Sequence, residues 1–359
     1  MKIVRFCLFI GLGCLLEACV ARNVETTEFG LVGISIGSGT KAGAHDLAAS
    51  EQRISNYEVL FFDQDQDGLL TSVVSASPNA AGPSLEVPAQ KVRVGNYHVY
   101  ALVNSDFLGQ KNALYEKDFL ALKLDLPIYN GHDDLIQHSE MKSLELGEDG
   151  ADLDFAMKRY VSKVHLNSVQ NSLGTQLSLK AIYLSNVLGN QNVAGNMSAS
   201  VWYHQYGLAL VPSDPERNAI TVSTGCEPAA LSLGKTVASG STASLSDAKL
   251  YCYPNTLNLR QEDTYDGVSP FVECCTYFIL EAVAASDGKT RYYQFPIAYN
   301  AEDKLGIEGA LKANCSYGID ITIKALGAEV ITDLSTDGTL EVKVTVLDWD
   351  TMETYTYDI

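Results

Sequence analysis

The sequence is short of positive charge. It has 25 lysines and arginines against 44 aspartates and glutamates, a formal net charge of −19. A surface this acidic excludes nucleic acid as a partner, because binding phosphates needs a basic patch. Tryptophan is scarce as well: Trp202 and Trp349 are the only two, too few for an aromatic platform that stacks on sugars. The HExxH, P-loop and GxGxxG patterns are missing, which removes the common signatures of zinc proteases, nucleotide cradles and dinucleotide sites. GSGTKAG (37–43) has the small residues of a phosphate loop without its spacing. Helical periodicity is weak, and KNALYEKDFLALKL (111–124) is the best short helix. Internal repeats and low-complexity tracts are also absent. Nothing here argues for an enzyme, a cofactor or a metal.

Disorder is excluded too, since 46% of the residues are hydrophobic and 19% charged. A chain of 359 residues has room for one or two domains.

The N-terminus reads as a targeting segment. Lys2 and Arg5 precede FCLFIGLGCLL, an apolar run of 11 residues, short of the roughly 20 that span a bilayer but suited to a signal peptide. It ends in LLEAC, where Leu16, Ala18 and Cys19 resemble the lipobox of bacterial lipoproteins. Glu17 departs from that pattern, which favours a small or apolar residue. The expectation is a signal peptide over 1–18, acylation of Cys19 and an exported body tethered by lipid. Ordinary cleavage near Ala21 is the alternative.

Cys7 and Cys14 leave with the signal. Cys226, Cys252, Cys274, Cys275 and Cys315 remain beyond Cys19, an odd number for an exported protein. Cys274 and Cys275 are neighbours in a strand pattern, so they face opposite sides. One is suited to the core and the other to pairing, with Cys252 and Cys275 as the candidate disulfide. There is no CxxC, and no histidine nearby to activate a thiolate.

Short strands dominate. NYEVLFFD, QKVRVGNYHVYALVN, RYVSKVHLNSV, LSLKAIYLSNV, TYFILEAVAAS, TRYYQFPIAYN, SYGIDITIKAL and TLEVKVTVLDW are rich in Val, Ile, Tyr and Phe and bounded by turn residues. In the last, Leu340, Val342, Val344 and Val346 share a face opposite Lys343 and Thr345. That spells a strand buried on one side. The pattern predicts an all-β chain of two sandwiches, 54–156 and 157–359, divided beside the acidic loop LGEDGAD. Residues 186–250, rich in Asn, Gly and Ser, read as loops on the second. Ahead of the body, FGLVGISIG reads as a separate strand, followed by the exposed loop SGTKAGAHDLAASEQR with Lys41 and Arg53.

Two stretches invite a metal. FFDQDQDG begins like an EF-hand loop with Asp63, Asp65 and Asp67. Position twelve, however, is Val74 rather than a bidentate glutamate, and a strand precedes it. Asp67-Gly68 fits a hairpin turn better. GHDDLIQHSE gathers His132, Asp133, Asp134, His138 and Glu140, which read as solvated loop residues. No metal site is assigned.

At the level of strand order the chain resembles the fimbrillins of bacterial type V, protease-assembled fimbriae. YEVLFFDQDQDG is similar to that family's opening strand and turn. VGNYHVYALVNSD ends a strand in Asn104. MKRYVSKVHLNSV carries Arg159 and Lys163 where the second domain begins. YGIDITIKALG and LEVKVTVLDWDTMETYTYDI, with Trp349, close the chain. The resemblance spans almost the whole mature sequence, apart from residues 190–250.

The resemblance implies two transthyretin-like β-sandwiches in tandem and no catalysis. FGLVGISIG, within the segment 19–53, would be a removable strand. A trypsin-like protease would cut after Lys41, where the family usually has arginine, with Arg53 in reserve. The C-terminal tail of another subunit would then enter the vacated groove. In it Met352, Thr354 and Thr356 alternate with Glu353, Tyr355 and Tyr357. The implied partners are copies of the chain, other fimbrial subunits, the protease and, before cleavage, the outer membrane. The implied role is a shaft or tip subunit in adhesion. The alternatives are a fimbrial anchor or a monomeric surface lipoprotein that binds glycan or protein.

Overall fold

The computed structural model describes residues 28–37, 49–78, 82–105, 115–125, 134–185, 187–188, 190–195, 201–203, 221–222, 231–255, 276–297, 311–331, 338–348 and 352–358. The fold is all-β. A first set of strands comprises β1 (Phe29–Gly37), β2 (Tyr57–Asp63), β3 (Leu69–Ala76), β4 (Ser84–Arg93) and β5 (Gly95–Val103). After the short helix α1 (Glu116–Ala121) come β6 (Lys123–Asp125), β7 (Gln137–Ser139), β8 (Lys142–Leu146) and β9 (Ala151–Arg159). The second set begins with β10 (Ser162–Asn171), β11 (Leu177–Ser185), β12 (Val187–Leu188), β13 (Asn190–Asn192), β14 (Val201–Tyr203) and β15 (Thr221–Val222). It continues with β16 (Leu231–Val237), β17 (Thr242–Cys252), β18 (Tyr277–Ala284), β19 (Thr290–Pro296), β20 (Cys315–Ile323), β21 (Leu340–Asp348) and β22 (Met352–Asp358).

The first set runs β3-β2-β5-β7-β9-β1-β4, with β8 also on β5. β9 turns the corner. Its last residues, Met157–Arg159, pair with β7, and Ala151–Ala156 pair with β1. A strand that changes sheets in this way closes one layer over another. Val59, Phe61, Val99 and Ala101 thereby meet Val32, Ile34, Val87, Val92, Leu153 and Phe155 in one core. The second set has two main sheets, β17-β10-β20-β21-β22 and β16-β11-β18-β19. Their core contains Val164, Leu166, Ile182, Phe278, Leu280, Ile319, Ile321, Val342 and Val344.

β2 does not alternate, because both of its faces are covered. All seven of its residues are buried. Val59 and Phe61 enter the first core. Leu60 and Phe62, with Leu102, Phe119 and Leu135, join Tyr160, Val161 and the second core. The two sets therefore share a continuous apolar junction. β6 adds a backbone link by pairing with β13.

Four expectations change. The stretch 90–104 is two strands rather than one: β4 pairs with β1 and β5 with β2, so the chain crosses between layers at Val94. Residues 231–250 form β16 and most of β17 rather than loops. The helix expected over 111–124 covers 116–121, where burying Phe119 fixes it, and the chain is extended again at Lys123. The boundary placed between residues 156 and 157 falls inside β9, and the chain leaves the first set at Tyr160–Val161.

Candidate functional site

β1, the first strand among the described residues, takes an interior position. Val32, Ile34 and Ile36 alternate inward at 0, 2 and 1% exposure. On one side Phe29 to Gly37 pair antiparallel with Arg93 to Ser84 of β4, with a bulge between Val32 and Ile34. On the other, Val32 to Gly37 pair in parallel with Ala151 to Ala156 of β9. Burying each of the three side chains contributes about 1.5–3 kcal/mol. Their sum is comparable with the whole stability of a typical domain, about 5–15 kcal/mol. Losing β1 would also strip partners from two rows of backbone amides and carbonyls, leaving an apolar groove between open strand edges.

The fit is tight at Gly30. A Cβ there would run into the Gly147 carbonyl and the Leu146 side chain, whereas one at Gly33 would meet only the end of the Asp152 side chain. Gly33 to Gly37 also spell G-x-S-x-G, a pattern that places a nucleophile on a sharp strand-to-helix turn. Here it lies wholly within β1, and Ser35 donates its hydroxyl hydrogen bond to Asp154.

Past the end of β1, Lys41 lies outside the described residues. The chain resumes as a short 3-10 turn, Ala49–Gln52. Arg53 follows, its side chain 51% exposed and 3.7 Å from Asp134. Its backbone is pinned. The Asn104 amide donates to the Arg53 carbonyl at 2.7 Å and to the Leu135 carbonyl at 3.1 Å, while its oxygen accepts from Ser55 N at 2.8 Å. Asn104 holds φ 56°, a left-handed conformation that asparagine tolerates better than most residues. Ile54, 1% exposed, donates its N–H to the Gly82 carbonyl at 3.0 Å.

At the other terminus β22 forms the outermost strand of its sheet, antiparallel to β21. Tyr355 and Tyr357 pair with Val344 and Val342, whose side chains fill the core. Thr354 and Thr356 pair with Thr345 and Lys343, and Met352 with Leu347. The tail thus lies on its own chain, at the edge farthest along the sheet from β17.

The remaining candidates resolve into structural roles. Asp63 accepts from Asp65 N at 2.9 Å and from Gln66 Nε2 at 2.6 Å. Asp67 and Gly68 take positive φ, so this stretch turns β2 into β3. His132 and Asp133 lie outside the described residues. Asp134 accepts from Ser55 at 2.8 Å, Glu140 pairs with Lys158, and the His138 ring stacks on Tyr160 at 4.2 Å. Among the described residues no three His, Cys, Asp or Glu side chains converge as a metal site. Cys252 is a fully buried free thiol, pushed up to about 12 by desolvation, which makes it unreactive. Cys19, Cys275 and Trp349 lie outside the described residues. Among the described residues no helix is long and apolar enough to cross a membrane.

Sequence reasoning missed the pinning role of Asn104. A strand closed by asparagine immediately before Ser-Asp was its one visible signal.

No family model and no curated protein matches the chain. Its fold matches solved structures over nearly its whole length. A candidate cell adhesion protein from Parabacteroides distasonis aligns with TM-score 0.62 at 14% identity, covering 89% of this chain and 99% of that one. A fimbrilin from Porphyromonas gingivalis gives 0.60 at 12%, covering 92% and 98%. A tip fimbrial protein from the same organism, solved with a C-terminal truncation, gives 0.53 at 13%, covering 89% and 100%. At these identities the likeness is one of fold.

Proposed function

We propose that the chain is a structural subunit, shaft or tip, of a cell-surface fimbria that supports adhesion, and that it is no enzyme. The observation that carries this reading is the seat of β1. A strand near the N-terminus fills an interior slot between β4 and β9, both of which come later in the chain. Such a strand is a placeholder that another strand of suitable alternation can replace, regaining both the backbone hydrogen bonds and the buried side chains. The fold shared with solved fimbrial proteins supports the reading.

In this scheme the precursor is exported, acylated at Cys19 and held at the outer membrane by lipid. A trypsin-like protease cuts after Lys41, with Arg53 in reserve, and β1 departs with its lipid. The tail of another subunit, carrying Met352, Thr354, Tyr355, Thr356 and Tyr357, then enters the groove. Partners are further copies and other fimbrial subunits. A chain that escapes cutting would stay lipid-bound as an anchor.

Two measurements test this. Deleting residues 350–359 should abolish SDS-resistant ladders while leaving the monomer soluble. Unchanged monomeric behaviour of the intact chain under assembly conditions would favour a monomeric surface lipoprotein that binds glycan or protein. N-terminal sequencing of the polymer should find a start beyond β1, and a start at Cys19 would sink the maturation scheme.

A further inference from the structure

Glu51 is the most enclosed carboxylate of the junction. It sits in the short turn between β1 and β2, its residue 1% exposed and its side chain fully buried. Cations from three strands converge on it. Lys163 of β10 lies 3.3 Å from Oε2, and Lys249 of β17 lies 3.2 Å from Oε1. The Tyr251 hydroxyl donates to Oε1. Arg159, at the end of β9, donates Nε and Nη2 to the Glu51 carbonyl at 3.1 and 2.7 Å. Burial is deep enough to pull the Arg159 guanidinium down to about 10, against the opposing pull of Glu51 and Tyr251. One residue of the N-terminal connector is thus held by the last strand of the first set and by two strands of the second.

This arrangement bears on Arg53, two residues on. A protease draws several residues on each side of its target bond into an extended line, so a bond is protected when its flanks are buried and hydrogen-bonded. On the upstream flank Glu51 is tied down by charge. On the downstream flank Ile54 is buried and Asn104 bridges the Arg53 carbonyl and Ser55 N. The exposed guanidinium is therefore misleading: the side chain is open, and the bond behind it is not. Extending the segment would pull the Glu51 carboxylate away from Lys163 and Lys249, the costly way to break a buried ion pair, and its carbonyl away from Arg159.

We propose that the Glu51 cluster is a clasp which locks residues 49–55 onto the junction and shields the Arg53–Ile54 bond from basic-specific proteolysis. The shielding holds whether or not the chain is fimbrial. Its consequence for maturation rests on that reading: processing leaves residues 49–55 on the body, and Arg53 loses its reserve role to Lys41.

The test is native trypsin digestion of the full chain, with fragments timed by mass spectrometry. A synthetic peptide of residues 47–59, in which the same bond is free, serves as the reference. In the wild type, cleavage after Arg53 should be at least tenfold slower than in the peptide. Glu51→Gln keeps the shape and removes the charge, and should speed cleavage at Arg53 about tenfold while thermal unfolding stays cooperative. Lys249→Met, which alters only the half-open side of the cluster, should give a smaller increase and remain folded if Glu51→Gln does not. Cleavage at Arg53 as fast in the wild type as in the peptide overturns the clasp. So does an Arg53 rate unmoved in both variants. A polymer whose subunits begin at Ile54 overturns the consequence for maturation, whereas failure to polymerise counts against the fimbrial reading alone.

Discussion

Ile34 on β1 stands opposite Leu153 on β9 in parallel register, and both side chains are buried in one core. Parallel neighbours cannot be joined by a tight turn, so the strand from the chain's beginning is fixed by residues more than a hundred positions later. Ile34→Ala should lower the urea stability of the unprocessed chain by about 2–5 kcal/mol. Ser35→Ala, on the opposite face of the same strand, removes only the hydrogen bond to Asp154 and should cost about 1 kcal/mol. Equal losses would show that β1 is not seated as described.

The two glycines of β1 should differ. At Gly30 the obstacle is partly backbone, the Gly147 carbonyl, which cannot move without disturbing β8 and its turn. At Gly33 it is the tip of the Asp152 side chain, which can swing away. Gly30→Ala should therefore destabilise by about 1–3 kcal/mol, the range for overpacking. Gly33→Ala should cost distinctly less, and thermal melts of the two variants separate them.

These contrasts show what the residues reveal unaided. The strand β21 is legible because Leu340, Val342 and Val344 alternate with partly exposed partners. β17 is not, because its inward positions include Ala243 and Ala248, which look like the small residues of a loop, and β16 is not, because Val237 is its one buried residue. The break at Val94 hides because a strand that changes layers keeps strand-type residues on both sides. Glu51 is invisible for another reason. Its lysines lie 112 and 198 positions away, and a lone glutamate in a polar segment has no period to betray it.

Asn104 predicts a graded series. Asn104→Ala loses the bonds to Arg53, Ser55 and Leu135 and leaves a left-handed backbone with an unsuitable side chain. At about 1 kcal/mol per hydrogen bond plus about 1 for the strain, the cost should be roughly 2–4 kcal/mol. Asn104→Asp should fare no better, since a carboxylate cannot donate to two carbonyls. Either variant should also loosen the Arg53 backbone, seen as faster amide exchange at Ile54 and Ser55.

His138 predicts an acid weakness. Burial lowers its pKa below the ordinary histidine value, helped by nearby Lys158 and opposed by the Ser139 carbonyl and Glu140. The unfolded chain therefore binds the proton more readily. The stability that depends on neutral His138 is complete above about pH 6.5 and declines as pH falls through that value toward the lowered one. Replacing His138 with Phe keeps a ring against Tyr160 and should flatten the slope of stability as pH falls below about 6.5. An unchanged slope would place the titration elsewhere.

The tail offers the sharpest contrast, because one register governs two states. Paired residues on neighbouring strands share a face. Position 355 therefore shares the side on which Val344 enters the core, and position 354 the side of Thr345. Tyr355→Lys should lower the melting temperature of the monomer, because it puts a charge on the side of the sheet that Val342 and Val344 share. Thr354→Lys should stay within about 0.5 kcal/mol of the wild type. If the same tail acts as donor to a second copy, the alternation must be read again in the new groove, where Val32, Ile34 and Ile36 had been. Tyr355→Lys should then also abolish SDS-resistant ladders, and Thr354→Lys should preserve them. Loss of ladders in both variants would mean that the donor is read by its backbone alone. Loss in neither would remove the tail from the assembly mechanism.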